Sequence, residues 1–182
     1  MSYILKKYKH APTHLFVDNI YYFITGAVYQ KKHLLSTPET KEIFIKQLFH
    51  FIEKFKWELL DWVVLENHYH FLAQVFHGKD IPVFVNSLHK TSAFHIKEEL
   101  QIEIKPFWYQ YWDRCIRNEK HFFETATYIL YNPVRHNYVE NLNDYPFSSF
   151  HIRKAQEDEK LRENFLPYKP RAIRYYDEID DF

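Results

Sequence analysis

Two histidines separated by a single residue, His68 and His70, lie in the strand-like run 62–72. Alternate side chains of a β-strand point to the same face, so both imidazoles can converge on one point. Two converging imidazoles form part of a metal site, because neutral imidazole is a common ligand of divalent metals. The chain has 12 histidines, and a solvated pair that arose by chance accounts for this spacing alone more often than a metal site does.

A second group, on a helical segment later in the chain, gives that pair more weight. Tyr128 and Asn132 are four residues apart and therefore share a helix face. A divalent ion bound by His68, His70 and the side-chain oxygen of Asn132 would polarise a phosphate. Tyr128 would then supply the attacking oxygen, and a phosphotyrosine would conserve the energy needed to rejoin the strand without ATP. The four residues together predict a metal-assisted tyrosine nucleophile.

A purely structural role for these tyrosines stays open. A tyrosine at the border of a helix face often packs its ring and hydrates its hydroxyl, and the chain has 15 tyrosines. The apolar face predicted for this helix is on its other side and consists of Phe122, Phe123, Ala126 and Leu130. Tyr131 is the competing nucleophile, but adjacent helix residues point about 100° apart, so it would turn away from a metal bound by Asn132. Tyr128 is therefore favoured.

The composition excludes several classes of protein. The 182 residues, 46% hydrophobic and 20% aromatic, suit one domain with a substantial core. Gly26 and Gly78 are the only glycines, which excludes the glycine-rich phosphate loops of nucleotide-binding proteins. The single cysteine, Cys115, excludes an intramolecular disulfide and a cysteine-rich zinc site. Basic and acidic residues balance at 24 each, which argues against nonspecific nucleic-acid binding but allows a local basic groove.

Strand-like and helical segments alternate along the chain. Strands are predicted at 19–29, 57–66, 68–76 and 107–117, and the two-residue link 66–67 indicates a tight hairpin. A helix is predicted after the first strand, after the third and after the fourth. This order predicts an α+β, ferredoxin-like sandwich, in which an antiparallel sheet carries helices mainly on one face.

The helix ends are indicated by capping residues. Ser36, followed by Glu39, predicts the start of the first helix, and Asp80 is predicted to cap the second helix, which extends to about residue 100. Asn118 is the predicted N-cap of the third helix, which Pro133 ends or kinks after about residue 132.

The ends of the chain are predicted to be irregular. Residues 1–150 would form the single domain, with a basic cluster at 6–10, and residues 151–182 a polar tail that is not a separate domain. The sequence shows neither a starting apolar run of signal-peptide length nor a segment able to span a bilayer. We therefore expect a cytoplasmic location and no membrane partner.

Five segments resemble a known family. The run 62–70 is similar to the histidine–hydrophobic–histidine motif of IS200-like transposases, which belong to the HUH endonuclease superfamily and use a single catalytic tyrosine. The runs 109–119, 128–135 and 144–149 resemble successive motifs of one branch, the REP-associated tyrosine transposases. The strand at 23–25 fits as well, so the likeness covers about residues 12 to 151.

The resemblance implies a role for each site residue. His68, His70 and Asn132 would be the ligands of Mg²⁺ or Mn²⁺, and Tyr128 would be the nucleophile. Attack on single-stranded DNA beside a hairpin would give a 5′-phosphotyrosine and a free 3′-hydroxyl, as in DNA transposition. Some relatives act as dimers with the tyrosine in trans, whereas this branch and the additional tail favour a monomer.

The chain also departs from the family pattern. Glu66 replaces a frequent proline of the histidine motif, and the run 136–138 replaces a common Ala-Gly-Leu. Asn137 is the next-best residue to glycine for a left-handed helix cap, so the turn should be retained. Neither departure touches a proposed catalytic group.

Four basic residues are candidates for contact with DNA: Lys90, Arg114, Arg117 and Lys120. The last three could line a phosphate track beside the tyrosine helix, and a solvated strand edge is an equally good account of them. An ordinary polar helix face accounts for Lys90 better than DNA contact does. Trp108 and Trp112 are predicted to share one face of their strand, where core packing is favoured over base stacking.

Three functions are compatible with these patterns. The first is a tyrosine transposase that cuts and rejoins single-stranded DNA at hairpin-associated sites. The second is a noncatalytic protein that binds DNA hairpins on the same fold. The third is a metal nuclease that hydrolyses DNA without a covalent intermediate. The intact set of two histidines, a tyrosine and an asparagine favours the first.

Overall fold

The computed structural model describes residues 14–155, so the basic cluster 6–10 and most of the predicted tail lie outside the described residues. A four-stranded antiparallel sheet has the spatial order β2-β3-β1-β4. Its strands are β1 (Ile20–Val28), β2 (Glu58–Val64), β3 (His68–Val75) and β4 (Trp108–Cys115). The helices are α1 (Pro38–Phe55), α2 (Ile81–Leu100), α3 (Glu119–Arg135) and a short α4 (Phe150–Ala155), which begins where the tail was predicted.

The predicted ferredoxin-like architecture is confirmed, and the helices divide unequally between the two faces of the sheet. Helices α1 and α2 pack on each other and on one face, around a large apolar cluster that includes Phe44 and Phe84. Helix α3 packs on β2 and β3 at the opposite face, around a smaller cluster that includes Phe23 and Ile129. Among residues 14–155, the smaller layer is therefore formed mainly by one helix, which packs on β2 and β3.

The predicted hairpin between β2 and β3 is confirmed. The backbone N–H of Leu65 donates to the carbonyl of His68 at 2.9 Å, which closes a loop of two residues. The outer edge of β2 is paired with the segment 145–149, because Val64 N–H donates to the Phe147 carbonyl and Ser149 N–H donates to the Trp62 carbonyl, both at 2.9 Å. The segment thus protects a sheet edge that would otherwise present unpaired backbone groups.

Of the three predicted N-caps, one is wrong, and Asp80 occupies its predicted N-cap position without making a capping bond. Thr37, not Ser36, caps α1, because its hydroxyl accepts a hydrogen bond from Thr40 N–H at 3.3 Å. Asp80 has helical dihedral angles and no capping bond, since α2 is entered through a 3₁₀ turn at 78–80. The third cap is confirmed, as Asn118 Oδ1 accepts from the N–H of His121 at 2.8 Å.

The predicted end of α3 at residue 132 is also wrong, because the helix continues through Pro133 to Arg135. A proline within a helix removes only one backbone donor, and this proline is buried against the layer beneath it. Two residues after the helix end, Asn137 has a left-handed φ of 59°, as predicted for this residue. Tyr138 N–H then donates to the Pro133 carbonyl at 2.9 Å, which closes the turn.

Candidate functional site

The alternation of β3 divides the histidine motif between the two layers. Tyr69 points into the α1–α2 layer, where its hydroxyl is hydrogen-bonded to Nε2 of His89 at 2.8 Å. Its ring lies against Gly26, at which a Cβ atom would be only 2.5 Å from Cε1 of the tyrosine. His68 and His70 consequently point to the face that carries α3, with their ring centres 5.0 Å apart.

Each histidine ring is oriented by a hydrogen bond to Nδ1. Thr25, the direct partner of His70 on β1, binds that nitrogen through Oγ1 at 2.7 Å. Asn67 Oδ1 accepts from Nδ1 of His68 at 2.6 Å, and Asn67 Nδ2 donates to the Lys31 carbonyl, which sets the orientation of the amide. Because an amide oxygen can only accept, the lone pair of neutral His68 is on Nε2. Nε2 is therefore the nitrogen with which His68 would bind a metal, and in His70 it is the nitrogen that does not bind Thr25.

Helix α3 places Tyr128 beside these rings. The ring centre of Tyr128 is 5.3 Å from that of His70 and 5.9 Å from that of Phe23. The tyrosine is only 1% exposed and belongs to the apolar cluster of this layer. The core face of α3 thus includes Tyr128, contrary to the sequence-based expectation that the apolar face would lie opposite it. Tyr131, the competing candidate, is half-buried on a different side of the helix.

Arg135 contacts the Tyr128 hydroxyl and was missed by the sequence analysis. Its Nη1 atom donates to the tyrosine oxygen at 3.2 Å, and its guanidinium carbon is 5.4 Å from the ring centre. The two residues are seven positions apart, a spacing that returns to the same helix face after two turns. The spacing could have identified Arg135, but only for a helix that continues past Pro133.

Asn132 is the least satisfied polar group of the site. Its side chain is fully buried, and neither Oδ1 nor Nδ2 has a hydrogen-bond partner among the described residues. An unsatisfied buried amide costs about 1–3 kcal/mol, so such a group in a folded protein needs a physical reason. A bound ligand at Oδ1 would supply one. Within residues 14–155, no three histidine, cysteine, aspartate or glutamate side chains are grouped to hold a metal, so a three-ligand site would need a donor such as this amide.

A third histidine, His136, was also missed by the sequence analysis. It follows the last residue of α3, and its ring centre lies 5.2 Å from that of His68. The departure from the family pattern at 136–138 therefore places an imidazole beside the predicted metal ligands.

The predicted DNA-contacting residues occupy two different layers. Arg114 pairs with Phe23 across the sheet and so points to the α3 face, and Arg117 and Lys120 are exposed near the start of α3. Burial is the main cause that lowers the pKa of His121, the charges of Arg114 and Arg117 lower it further, and the carboxylate of Glu124 opposes them. Lys90 is exposed on α2, on the layer opposite the histidines. No helix of residues 14–155 is long and apolar enough to cross a bilayer.

Two curated proteins are similar to this chain in sequence. A REP-associated tyrosine transposase of Escherichia coli K12 is 32% identical over 97 residues, which are 52% of this chain and 54% of that protein. A candidate REP-associated tyrosine transposase of Haemophilus influenzae is 31% identical over 109 residues, or 54% of this chain and 62% of that protein. The chain thus spans little more than half the length of the curated relatives it matches.

The fold is shared with a solved structure. That structure, a REP-associated tyrosine transposase bound to a REP hairpin, has a TM-score of 0.67 and 23% sequence identity. The match covers 83% of this chain and 86% of that one. The family described as IS200-like transposases matches residues 16–141, which include both histidines, Tyr128 and Asn132. The chain therefore belongs to the IS200-like transposase family.

Proposed function

We propose that this protein cleaves and rejoins single-stranded DNA at hairpin-associated sites, with Tyr128 as the nucleophile. The observation that carries the proposal is one cluster, in which the Tyr128 ring contacts His70 and its hydroxyl accepts a hydrogen bond from Arg135. Two relatives are named as REP-associated tyrosine transposases or candidates for this activity, and the solved relative binds a REP hairpin. These relatives support hairpin DNA as the substrate and transposition as the reaction of this chain.

The proposed reaction is a transesterification. The Tyr128 oxygen attacks the phosphorus atom, and the bond from phosphorus to the 3′ oxygen breaks, which leaves a 5′-phosphotyrosine and a 3′-hydroxyl. The phenol loses one proton and the leaving 3′ oxygen gains one, so the reaction neither consumes nor releases a net proton. Arg135 stabilises negative charge that develops on the tyrosine oxygen as its proton leaves. Rejoining reverses these steps when a 3′-hydroxyl attacks the phosphotyrosine.

We further propose that His68, His70 and Asn132 bind Mg²⁺ or Mn²⁺. The donor set fits, because Nδ1 of each ring is hydrogen-bonded in the manner of a metal-ligating histidine and the buried Asn132 amide lacks a partner among the described residues. A bound divalent ion would polarise the phosphate and neutralise charge that develops on its oxygens. Thr25 and Asn67 would hold the two rings in their orientations.

We propose that both halves of the site come from one chain. Since the Tyr128 and His70 rings of the same molecule are in contact, the arrangement supports a monomer with the nucleophile in cis. Mixing Tyr128→Phe with His70→Ala should then restore no cleavage, whereas a nucleophile exchanged between copies would restore it. A single species of monomeric mass by light scattering is expected, and a dimer that dissociates with loss of cleavage would contradict the proposal.

The decisive experiment is the detection of a covalent adduct. Wild-type protein is incubated with Mn²⁺ and a single-stranded oligonucleotide carrying a hairpin from the genome's own repeats, and the products are resolved under denaturing conditions. Tyr128→Phe should abolish the adduct, while Tyr131→Phe should retain it. An adduct that persists in Tyr128→Phe refutes the assignment. Bound but uncut DNA would favour the noncatalytic hairpin binder, and cut DNA without an adduct would favour the hydrolytic nuclease.

Metal binding can be measured without DNA. Mn²⁺ should raise the melting temperature of the wild type, because a ligand at 100 times its Kd stabilises the folded state by about 2.7 kcal/mol. Asn132→Leu should lose this rise, and Asn86→Leu, at an exposed position on α2, should retain it. An equal rise in both variants would show that Asn132 is not a ligand.

A further inference from the structure

One row of side chains crosses the sheet face that carries the histidines. Val63 pairs with His70, His70 pairs with Thr25, and Thr25 pairs with Trp112. Directly paired residues of antiparallel strands point to the same side of the sheet. Strands lie about 4.8 Å apart, so Trp112 on β4 is two strands, or roughly 10 Å, from His70.

A bulge in β4 turns Trp112 and Trp108 to opposite faces, contrary to the prediction that they share one. Gly26 pairs with Tyr111 and Val28 with Trp108, so three steps along β4 oppose two steps along β1. Trp108 is consequently buried in the α1–α2 layer, and its indole N–H donates to Ser92. The bulge places Trp112 outside the core packing that holds Trp108.

Two tyrosines extend this surface. The ring of Tyr109 is 6.0 Å from that of Trp112, and the ring of Tyr29 is 6.2 Å from that of Tyr109. Tyr109 is 47% exposed, and Trp112 and Tyr29 are half-buried. By contrast, Trp57, Trp62 and Trp108 are at most 8% exposed. We name Tyr29, Tyr109 and Trp112 the aromatic strip.

The aromatic strip lies on the sheet face that carries α3, next to the half of that face that the helix covers. Within residues 14–155, α3 packs chiefly on β2 and β3, whereas the strip belongs to β4 and to the end of β1. Arg114, one row away on the same face, and the exposed Arg117 bring positive charge to the side nearest α3. Aromatic rings that stack on bases, beside cations that bind phosphates, are the features of a surface for single-stranded nucleic acid.

We propose that the aromatic strip and Arg114 bind the single-stranded DNA that flanks the cleavage site. Bases stack on Trp112 and Tyr109, a phosphate contacts Arg114, and the strand crosses β1 to reach the phosphate beside His70 and Tyr128. The direction of the strand rests on the proposed function, since that function locates the scissile phosphate. The whole chain has no excess of basic over acidic residues. A phosphate path of this kind needs none, because it depends only on basic residues near the strand.

Binding to oligothymidine tests the aromatic strip directly, because stacking is tolerant of base sequence. The measurements use a Tyr128→Phe background, so that no adduct forms. Trp112→Ala and Tyr109→Ala should each weaken binding by roughly 5- to 160-fold, the range expected for loss of one stacked base. Phe94→Ala, which removes an aromatic ring that is 54% exposed on α2, should leave affinity unchanged. Binding should also quench tryptophan fluorescence, and Trp112→Phe should lose that quenching.

A matched change in the DNA separates stacking from damage to the fold. Single abasic sites are placed along the oligothymidine, and affinity is measured for the background protein and for Trp112→Ala. We expect one or two positions where base removal weakens binding to the former but not to the latter. Arg114→Gln should lower the slope of log affinity against log salt by about 0.7, the contribution of one phosphate on a single strand. Lys97→Gln, on the other layer, is its control.

The outcomes distinguish this proposal from the proposed function. The proposal for the aromatic strip is overturned if the Tyr128→Phe background protein fails to bind oligothymidine. It is also overturned if every abasic position weakens binding to Trp112→Ala as much as it weakens binding to the background protein. Either result leaves the Tyr128-dependent adduct on hairpin DNA untouched. If that adduct is absent while the stacking positions are found, DNA binding by the aromatic strip is supported and the chain is a noncatalytic DNA-binding protein. A loss of protein association rather than DNA binding in Trp112→Ala would assign the strip to a protein partner and also overturn the proposal.

Discussion

Replacement of Arg135 by glutamine should slow formation of the covalent adduct. In the structure the guanidinium donates to the Tyr128 oxygen at 3.2 Å, so the variant removes a positive charge and this hydrogen bond from the atom that is proposed to attack. The charge matters most in the transition state, because the neutral phenol of the ground state has little to gain from it. We therefore expect the loss in the rate of chemistry and not in the affinity for DNA.

The size of the loss follows from the geometry. Two unit charges 3.2 Å apart would interact by about 5 kcal/mol at an effective dielectric constant of 20, which is an upper limit for this pair. Hydrogen bonds to charged groups contribute about 1.5–3 kcal/mol, and Arg135 is half-buried, which favours the lower part of that range. A loss of about 1.5–2 kcal/mol corresponds to a rate about 10- to 30-fold lower.

The assay is the single-turnover rate of adduct formation at saturating hairpin DNA. Arg135→Lys keeps the charge and should recover most of the rate, whereas Lys97→Gln, a loss of charge on the opposite layer, should have no effect. An Arg135→Gln variant that reacts at the wild-type rate would refute the reasoning. A deficit that disappears at saturating DNA would show that Arg135 binds the substrate and does not act on the nucleophile.

Three further predictions concern the groups that support the site. Thr25→Val should weaken Mn²⁺ binding by about 10- to 100-fold in a Mn²⁺ titration, because it removes the hydrogen bond that orients His70. Gly26→Ala should lower the free energy of unfolding in urea by about 1–3 kcal/mol, since its Cβ would overlap the buried Tyr69 ring. Burial lowers the pKa of His89 to about 3, so the unfolded state alone binds a proton there as the pH falls from 6.5 towards 3. The free energy of unfolding should therefore fall with pH in that window by up to about 1.4 kcal/mol per unit, relative to His89→Gln.

Each of these expectations has a result that contradicts it. Unchanged metal affinity in Thr25→Val would mean that His70 is oriented by packing alone. Wild-type stability in Gly26→Ala would mean that the Tyr69 ring moves at no cost. Parallel pH profiles for the wild type and His89→Gln would show that the imidazole is already protonated in the folded state, or remains neutral in both states.

Most of the fold could be predicted because its local signals agree. Strand-like and helical segments alternate along the chain, and the hairpin link has two residues. Asn118 caps the start of α3 with its side chain, and Asn137 adopts the left-handed conformation after the end of that helix. Disagreement arose where two local signals competed. Ser36 and Thr37 are both good caps, and the helix begins at Pro38, directly after Thr37.

The candidate site was only partly predictable, and each residue that the sequence analysis failed to place has its own physical reason. Arg135 could be placed over Tyr128 only if α3 continued past Pro133, and the energy of burying that turn is not visible in the local sequence. Trp112 could be placed on the histidine face only if β4 had a bulge. One additional residue in a strand reverses the face of every side chain beyond it, and its position depends on the partner strand.

The position of Tyr128 within an apolar cluster links the proposed chemistry to the stability of this layer. Its ring packs edge-on to Phe23 and His70, so its direction is determined by core packing as well as by the bond to Arg135. Because the hydroxyl is almost fully covered, the side chains around it must move before a phosphate can reach it. In the proposed attack, the half-buried Arg135 would have to keep its bond to the Tyr128 oxygen during this movement, since it stabilises the developing charge only from that position.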